Sequence, residues 1–208
     1  MRVAVIYNMP EHFRDEREHI AQKEPYETAM AVVEELKALG HRAEAIKVSW
    51  DFSYINSFDV AFNLAEGIGD EGEEHIVPEM LEIPCTGSTG DVIKLCNNKI
   101  ETKRVLKTKD LRVPELWEPE KVIFPAIVKP AKEHGSIGIN DSSIVHNPEE
   151  LKKAIEQIKK VYKQEAICEE YIDGREISAA ILGDRIIALS EILFKPPYKI
   201  LTYDAKWL

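Results

Sequence analysis

The sequence predicts a mixed α/β fold, in which a parallel α/β layer is followed by an α+β region. In the first third, one helical pattern stands between short β-branched segments, an order that suggests a small parallel sheet. Farther along, the apolar runs Ala126–Val128 and Ala166–Cys168 end in polar or turn residues and are typical of strands. The chain of 208 residues is long enough for one or two domains with cores of their own.

The elements of the first region follow from local patterns. Arg2–Tyr7 is a short β-branched segment and is predicted to be the opening strand. Apolar residues recur at helical spacing over Glu27–Leu39, and Gly40 is well placed to end that helix. Two further strands are expected at Ala43–Val48 and Phe58–Leu64.

Composition excludes several classes of protein. A hydrophobic content of 44% and a charged content of 31% describe a globular chain, not a disordered one. The net charge of −10 argues against a nucleic-acid-binding surface, and the apolar runs are too short to cross a membrane. No basic and apolar leader precedes the first strand. Cys85, Cys96 and Cys168 stand singly among apolar neighbours without metal-ligand spacing, which predicts buried, reduced thiols in a cytoplasmic protein.

The segment from Phe124 to Ile139 is the most informative in the chain. A buried strand is predicted to end at Lys129, and a loop with Gly135, Ser136 and Gly138 follows it. Backbone amides, a hydroxyl and a lysine can together cradle a phosphate. A lysine in an apolar strand is costly unless it is paired. The alternative is a strand-end lysine that reaches water beside an ordinary turn.

Five segments along the chain share a family pattern. In sequence order they are Gly67–Glu74, Asn98–Leu106, Phe124–Ile139, Ala166–Asp184 and Tyr203–Lys206. In this order they resemble the ATP-grasp ligases and, among these, the D-alanine–D-alanine ligase family. The resemblance runs along the whole chain and is strongest from Val60 to Gly183.

The resemblance implies an N-terminal parallel α/β (pre-ATP-grasp) domain over residues 1–90, with Thr86–Gly90 as a boundary turn. An ATP-grasp small subdomain is expected over residues 91–183, and the start of the large subdomain over residues 184–208. Within the small subdomain, helical spacing of apolar residues predicts a helix over Glu149–Val161. The family continues beyond its lysine loop, so the ATP-grasp domain is expected to be incomplete at its C-terminus.

The same resemblance implies a set of ATP-binding residues. Lys99 and Lys129 match the lysines that hold the α- and β-phosphates, and Ser136 matches a loop serine beside them. The adenine is expected against a linking segment, and Glu176 matches the acid that binds the ribose hydroxyls. That linking segment comprises Glu169, Glu170, Tyr171 and Ile172. Lys206 matches the mobile-loop lysine that closes on the γ-phosphate.

Departures from the family pattern leave the amino-acid site open. Asn8–Glu18 replaces a glycine-rich loop and reads either as a charged surface segment or as a substrate-binding one. Glu66, Asp70 and Glu71 could meet an amino group, or they form a solvated turn before a helix over residues 74–81. Gly135 stands where the ligases commonly have a serine, which favours a substrate other than D-alanine.

Two functions therefore follow as alternatives. The first is an ATP-dependent carboxylate–amine ligase of the D-alanine–D-alanine ligase type, acting through an acyl-phosphate on a small amino-acid-like substrate. The second is a shortened ATP-grasp module that binds nucleotide without turnover. Magnesium is expected from the family, although its protein ligands are not found in this sequence, and no catalytic residue is assigned. A second copy of the chain, forming a homodimer, is one candidate to cover an unfinished sheet edge.

Overall fold

A computed structural model describes residues 1–9, 18–68, 73–194 and 199–207, with the side chains of residues 18–23 also left out. The chain forms two compact units, Met1–Cys96 and Asn97–Leu208. The expected subdivision of the second unit at residue 183 stays a prediction.

The first unit is built on a three-stranded parallel sheet, as predicted. Its strands have the order β2-β1-β3, and β1 pairs with both neighbours. The elements are β1 (Arg2–Tyr7), helix α1 (Glu18–Ala38), β2 (Arg42–Lys47) and β3 (Val60–Asn63). Helix α1 begins before the predicted Glu27, and the chain leaves it through Gly40 at a φ of 82°.

Alternation along β1 supplies both faces of this sheet. Val3 and Val5 pack with Ala29 and Val33 of α1, whereas Ala4 and Ile6 face a second apolar cluster. Because successive side chains of a strand point to opposite faces, one short apolar strand lies at the centre of two cores.

Two short helices complete the first unit, α2 (Ile76–Met80) and α3 (Gly90–Cys96). The helix predicted over residues 74–81 is present but shorter. Gly87, in the predicted boundary turn, has a φ of 94° that favours glycine.

The second unit begins with helix α4 (Lys99–Lys107) and contains a three-stranded antiparallel sheet. The sheet has the order β5-β4-β6 and carries helix α5 on one face. These elements are β4 (Ala126–Pro130), β5 (Ile144–Val145), α5 (Pro148–Tyr162) and β6 (Ala166–Glu170). The predicted strand before Lys129 and the predicted helix over Glu149–Val161 are both confirmed.

A separate two-stranded sheet follows, formed by β7 (Glu176–Leu182) and β8 (Arg185–Ile192). The apolar pattern of Ala166–Asp184, with its Asp-Gly turn, predicts strand, turn and strand, and both strands are present. They lie in different sheets, however: β6 pairs with β4, and β7 pairs with β8 through a turn at Gly183 and Asp184. The β7–β8 pair is exposed along nearly its whole length.

Helix α6 (Tyr203–Trp207) is the last described element. Across the part of the chain that the structure describes, no helix is both long and apolar enough to cross a membrane.

Candidate functional site

A cleft of about 410 Å³ opens in the second unit, beside the face of the β5-β4-β6 sheet opposite α5. Its volume lies in the range usual for small-molecule sites. Eight of the nine predicted ATP-binding residues line it: Lys99, Lys129, Ser136, Glu169, Glu170, Tyr171, Ile172 and Glu176. Residues that are far apart in the sequence are thus brought to one cavity.

Strand alternation places the charged residues on the cleft face. Ala126 and Val128 are buried against α5, so Ile127 and Lys129 point the other way. In the antiparallel register Ile127 lies opposite Glu169. Lys129 is therefore a diagonal neighbour of Glu169 on the same face, at a spacing that long side chains span.

Glu169 holds a buried carboxylate between two lysines. Its side chain is 4% exposed, and Oε1 accepts a hydrogen bond from Lys129 Nζ. Lys103 Nζ lies 2.8 Å from Oε2, as an ion pair outside good hydrogen-bond geometry. Burial alone would raise the pKa of Glu169, but the two lysines outweigh it and hold the pKa below its ordinary value. The carboxylate is thus kept ionised.

Lys99 stands at the start of α4. The side chain of Asn98 caps this helix by accepting from the backbone N–H groups of Ile100 and Glu101. Lys99 Nζ donates to the carbonyl oxygens of Pro130, at 3.0 Å, and of Glu133. Burial, and then the nearby charge of Lys129, lower the pKa of Lys99. Two ammonium groups, of Lys99 and Lys129, therefore line one cleft, and a bound anion would reduce the repulsion between them.

The glycine loop approaches the sheet closely. Gly135 and Ser136 both have positive φ, at 60° and 62°, and Gly138 has a φ of 78°. A Cβ on Gly138 would lie 2.6 Å from Pro130 Cγ and 3.1 Å from Tyr162 Cε2. Only glycine fits this position, so the loop can lie against the end of β4 beside Lys129.

The segment expected to hold adenine leaves the sheet at the edge of the cleft. The N–H of Glu170 donates to Glu115 O at 2.9 Å, and Tyr171 Oη accepts from the N–H of Lys199 at 3.1 Å. Ile172 is more than half exposed, and Glu176 opens β7. Side chains with apolar surface thus stand beside backbone polar groups, an arrangement that suits a flat heterocycle.

Lys206 is not among the described residues that line the cleft. Its Nζ lies 4.6 Å from the ring centroid of Trp207. Trp207 Nε1 in turn donates to Gly135 O at 2.9 Å. The segment that carries Lys206 is therefore attached to the glycine loop.

Several earlier candidates belong to the first unit. Asp70, Glu71 and most of Asn8–Glu18 lie outside the described residues. Asn8 is described and is buried: its Oδ1 accepts from the N–H of Glu66 at 2.7 Å, which is a structural role.

No group of three or more His, Cys, Asp or Glu side chains that could hold a metal ion occurs within residues 1–9, 18–68, 73–194 and 199–207. The acids of the cleft, Glu133, Glu169, Glu170 and Glu176, are spread around it, and Glu169 is already paired. These residues do not fit a protein-held magnesium site.

Sequence reasoning missed Lys103 and Trp207. Lys103 is one charged residue of a polar helix, and Trp207 looks like a surface aromatic, so neither has a signal in a single sequence. Their partners, Glu169 and Gly135, become visible only in the folded unit.

Comparison with known proteins identifies the family. The model of the D-ala D-ala ligase C-terminus matches residues 100–208, which is just over half of the chain. The chain belongs to the D-alanine–D-alanine ligase family. The D-alanine–D-alanine ligase of Geobacter sulfurreducens is 32% identical over 191 residues, covering 85% of this chain and 58% of that protein. The uncharacterized protein y4sG of Sinorhizobium fredii is 35% identical over 163 residues, which cover 72% of this chain and 48% of that protein.

Solved ligase structures share the fold. The D-alanine–D-alanine ligase of Bacillus anthracis, in complex with ATP, superposes with a TM-score of 0.66 at 21% identity, covering 95% of this chain and 72% of that chain. The Helicobacter pylori enzyme gives a TM-score of 0.61 at 20% identity. The chain therefore shares the mixed α/β architecture of these ligase structures. It spans 48% and 58% of the length of the two curated relatives above.

Proposed function

We propose that the cleft binds ATP, with Lys99 and Lys129 on the phosphates and the Ser136 loop against them. Glu170, Tyr171 and Ile172 border the adenine, Glu176 meets the ribose hydroxyls, and Lys206 closes on the γ-phosphate. The roles of these nine residues, Glu169 included, are proposals carried from the family resemblance.

One observation carries this proposal. Two partly desolvated ammonium groups, of Lys99 and Lys129, line the same cleft as Gly135 and Ser136 of the glycine loop. A phosphate relieves their mutual repulsion and supplies charge-assisted hydrogen bonds. A neutral ligand would leave the repulsion between the two ammonium groups unchanged, so an anion suits this cleft better.

The reaction we propose is ATP-dependent joining of a carboxylate to an amine. The carboxylate of one amino-acid-like substrate attacks the γ-phosphorus, the bond to ADP breaks, and an acyl-phosphate forms. The amine of the second substrate then attacks the acyl carbon, losing a proton, and inorganic phosphate leaves. In this scheme the lysines hold the ADP part in place and offset the charge of the transferring group. A pair of D-alanines, or an amino acid other than D-alanine as the Gly135 departure suggests, is the proposed substrate.

A nucleotide-binding module without turnover is the second candidate. It is favoured by the dispersed acids of the cleft, which bring no metal-binding group together among the described residues. Magnesium usually reaches such sites with the nucleotide phosphates, but without protein oxygens it is poorly positioned.

A single experiment distinguishes the candidates. The purified chain is titrated with ADP by calorimetry, and phosphate release from ATP and Mg²⁺ is then measured with a panel of D- and L-amino acids. Binding together with amino-acid-dependent release supports the ligase, and binding without release supports the module. Absence of ADP binding contradicts both.

Two further proposals concern the state of the protein. The exposed apolar β7–β8 pair supports the proposal of a homodimer, which sedimentation of the purified chain tests. The proposed use of ATP and three free cysteines support a cytoplasmic location, which cell fractionation tests. Of these cysteines Cys168 is buried as predicted, whereas the prediction of burial is wrong for Cys96, which is exposed, and Cys85 is half-buried.

A further inference from the structure

We propose that Lys103 is a positioning residue for nucleotide binding: it remains with the Glu169 carboxylate and so frees Lys129 to move onto a phosphate. This inference rests on the proposed function of the cleft and adds a residue to it.

Helix geometry explains why Lys103 and Lys99 reach the same region. They are four residues apart on α4, so both side chains lie on one face of the helix. Lys99 extends to carbonyl oxygens at the end of β4 and in the loop that follows it. Lys103 extends to Glu169 Oε2 at 2.8 Å and to Pro114 O at 3.2 Å.

The two lysines on Glu169 differ in access. The side chain of Lys129 is 26% exposed and lines the cleft, whereas that of Lys103 is 12% exposed and is not among the described lining residues. A ligand in the cleft can therefore reach Lys129 without reaching Lys103. Lys129 can therefore exchange Glu169 for a ligand phosphate, whereas Lys103 can remain paired with Glu169.

The buried charge of Glu169 explains why two lysines with different access are needed. A phosphate that attracts Lys129 draws it away from Glu169, whose side chain is 4% exposed. A buried carboxylate that loses its only partner is strongly destabilising. With Lys103 on the other oxygen, Glu169 keeps a counterion when Lys129 leaves, so the cost of the exchange falls.

Other charged groups also face this region. Lys99 and Lys103 come from α4 and Lys129 from β4. The adjacent Cys168 lies on the α5 side of the sheet, and burial raises the pKa of its thiol to about 11. The cleft further contains Glu133, His134, Glu170, Glu176 and Lys199. The pH dependence of binding must therefore be expressed as a ratio of variant to wild type, which cancels the titration of groups that the two proteins and the nucleotide have in common.

The test compares four full-length variants by ADP titration between pH 5.5 and 8: Lys103→Met, Lys103→Arg, Lys107→Met and Lys103→Met with Glu169→Gln. Lys107 is the matched control, because it lies one turn farther along α4 in an exposed pair with Glu115. Thermal unfolding without nucleotide reports the structural effect of each change.

We expect Lys103→Met to weaken ADP binding at least tenfold at pH 7.5, because Lys129 is then held by Glu169. In this variant Glu169 has no lysine partner once Lys129 moves to the phosphate, so burial then raises its pKa. The loss of affinity relative to wild type should therefore shrink as the pH falls. Lys103→Arg should restore most of the affinity. The double variant should bind ADP more tightly than Lys103→Met at pH 7.5, because Glu169→Gln removes the charge that holds Lys129. Lys107→Met should bind like wild type.

Two results overturn the inference while leaving the nucleotide site intact. One is wild-type affinity in Lys103→Met. The other is a loss that neither low pH nor Glu169→Gln reverses, which assigns Lys103 to the stability of the fold. If wild type itself fails to bind ADP, the proposed function fails and this inference fails with it.

Discussion

Trp207 Nε1 donates a 2.9 Å hydrogen bond to the carbonyl oxygen of Gly135. The space that a Cβ would occupy on Gly135 lies 3.8 Å from the Trp207 ring, so the indole covers the glycine at this point. A second link joins the same segments, because the N–H of Tyr203 donates to Ile139 O at 3.0 Å. Helix α6, which carries Lys206, is thereby fixed to the loop that lines the cleft.

Replacing this indole tests whether the attachment matters for binding. Trp207→Phe keeps an aromatic ring but removes the donor, and a single neutral hydrogen bond contributes about 1 kcal/mol. We expect ADP affinity to fall roughly fivefold, measured by calorimetry. Trp50→Phe is the control, because Trp50 is an exposed tryptophan of the first unit. Equal affinity in both variants would show that α6 plays no part in holding nucleotide.

Lys129→Ala tests the phosphate site directly. Loss of a charge-assisted hydrogen bond should weaken ADP binding by about 1.5–3 kcal/mol, or roughly ten- to hundredfold. Lys152→Ala is the control, since Lys152 is an exposed lysine of α5 whose ion pair is long, at 3.9 Å. A folded Lys129→Ala protein with the ADP affinity of wild type would remove Lys129 from the site.

Much of the fold was predictable because its signals are local. The β-branched strand at Arg2–Tyr7 and the amphipathic helix over Glu149–Val161 each carry their own periodicity. Strand pairing has no such local signal. A short Asp-Gly segment that favours a hairpin separates β6 from β7, yet β6 pairs with β4 and β7 pairs with β8. Partner choice depends on residues far away in the sequence.

The residues of the candidate site also differ in whether the sequence alone can reveal their role. The lysines Lys99 and Lys129 could be found because each belongs to a motif. The sequence places Glu169 in the linking segment by resemblance, but it does not indicate that this side chain is buried between Lys129 and Lys103. A buried ion pair between a helix and a strand has no sequence period, so only the packed structure reveals it.

Gly138→Ala tests the close approach of the glycine loop to β4. The new Cβ would collide with Pro130 Cγ at 2.6 Å, in addition to the strain of a positive φ. Gly183→Ala is the matched control, because it has a φ of 62° but no atom within 4 Å of the Cβ position. We expect Gly138→Ala to lower the free energy of unfolding by about 1–3 kcal/mol more than Gly183→Ala does. Equal losses, measured by urea unfolding, would show that backbone strain alone requires glycine here.

The ionised state of Glu169 predicts how the second unit responds to acid. Its pKa is lowered in the folded chain, because the pairing with Lys129 and Lys103 outweighs burial. A group of this kind stabilises the fold fully above its unfolded pKa, about 4.3 for a glutamate. That stability is lost as the pH falls toward the lower folded pKa. The loss of unfolding free energy between pH 5.5 and pH 3.5 should therefore be larger in wild type than in Glu169→Gln.

The measurement is urea unfolding followed by tryptophan fluorescence in a Trp50→Phe background, which leaves Trp117 and Trp207 to report on the second unit. Glu156→Gln is the control, since Glu156 is an exposed acid of α5 and its removal should leave the pH dependence as in wild type. The other carboxylates contribute alike in all three proteins. A difference between variant and wild type in the unfolding free energy lost from pH 5.5 to pH 3.5 is therefore due to the substituted residue. If Glu169→Gln loses as much stability as wild type over this range, Glu169 is not held below its ordinary pKa. The exchange of Lys129 between carboxylate and phosphate would then lose its basis.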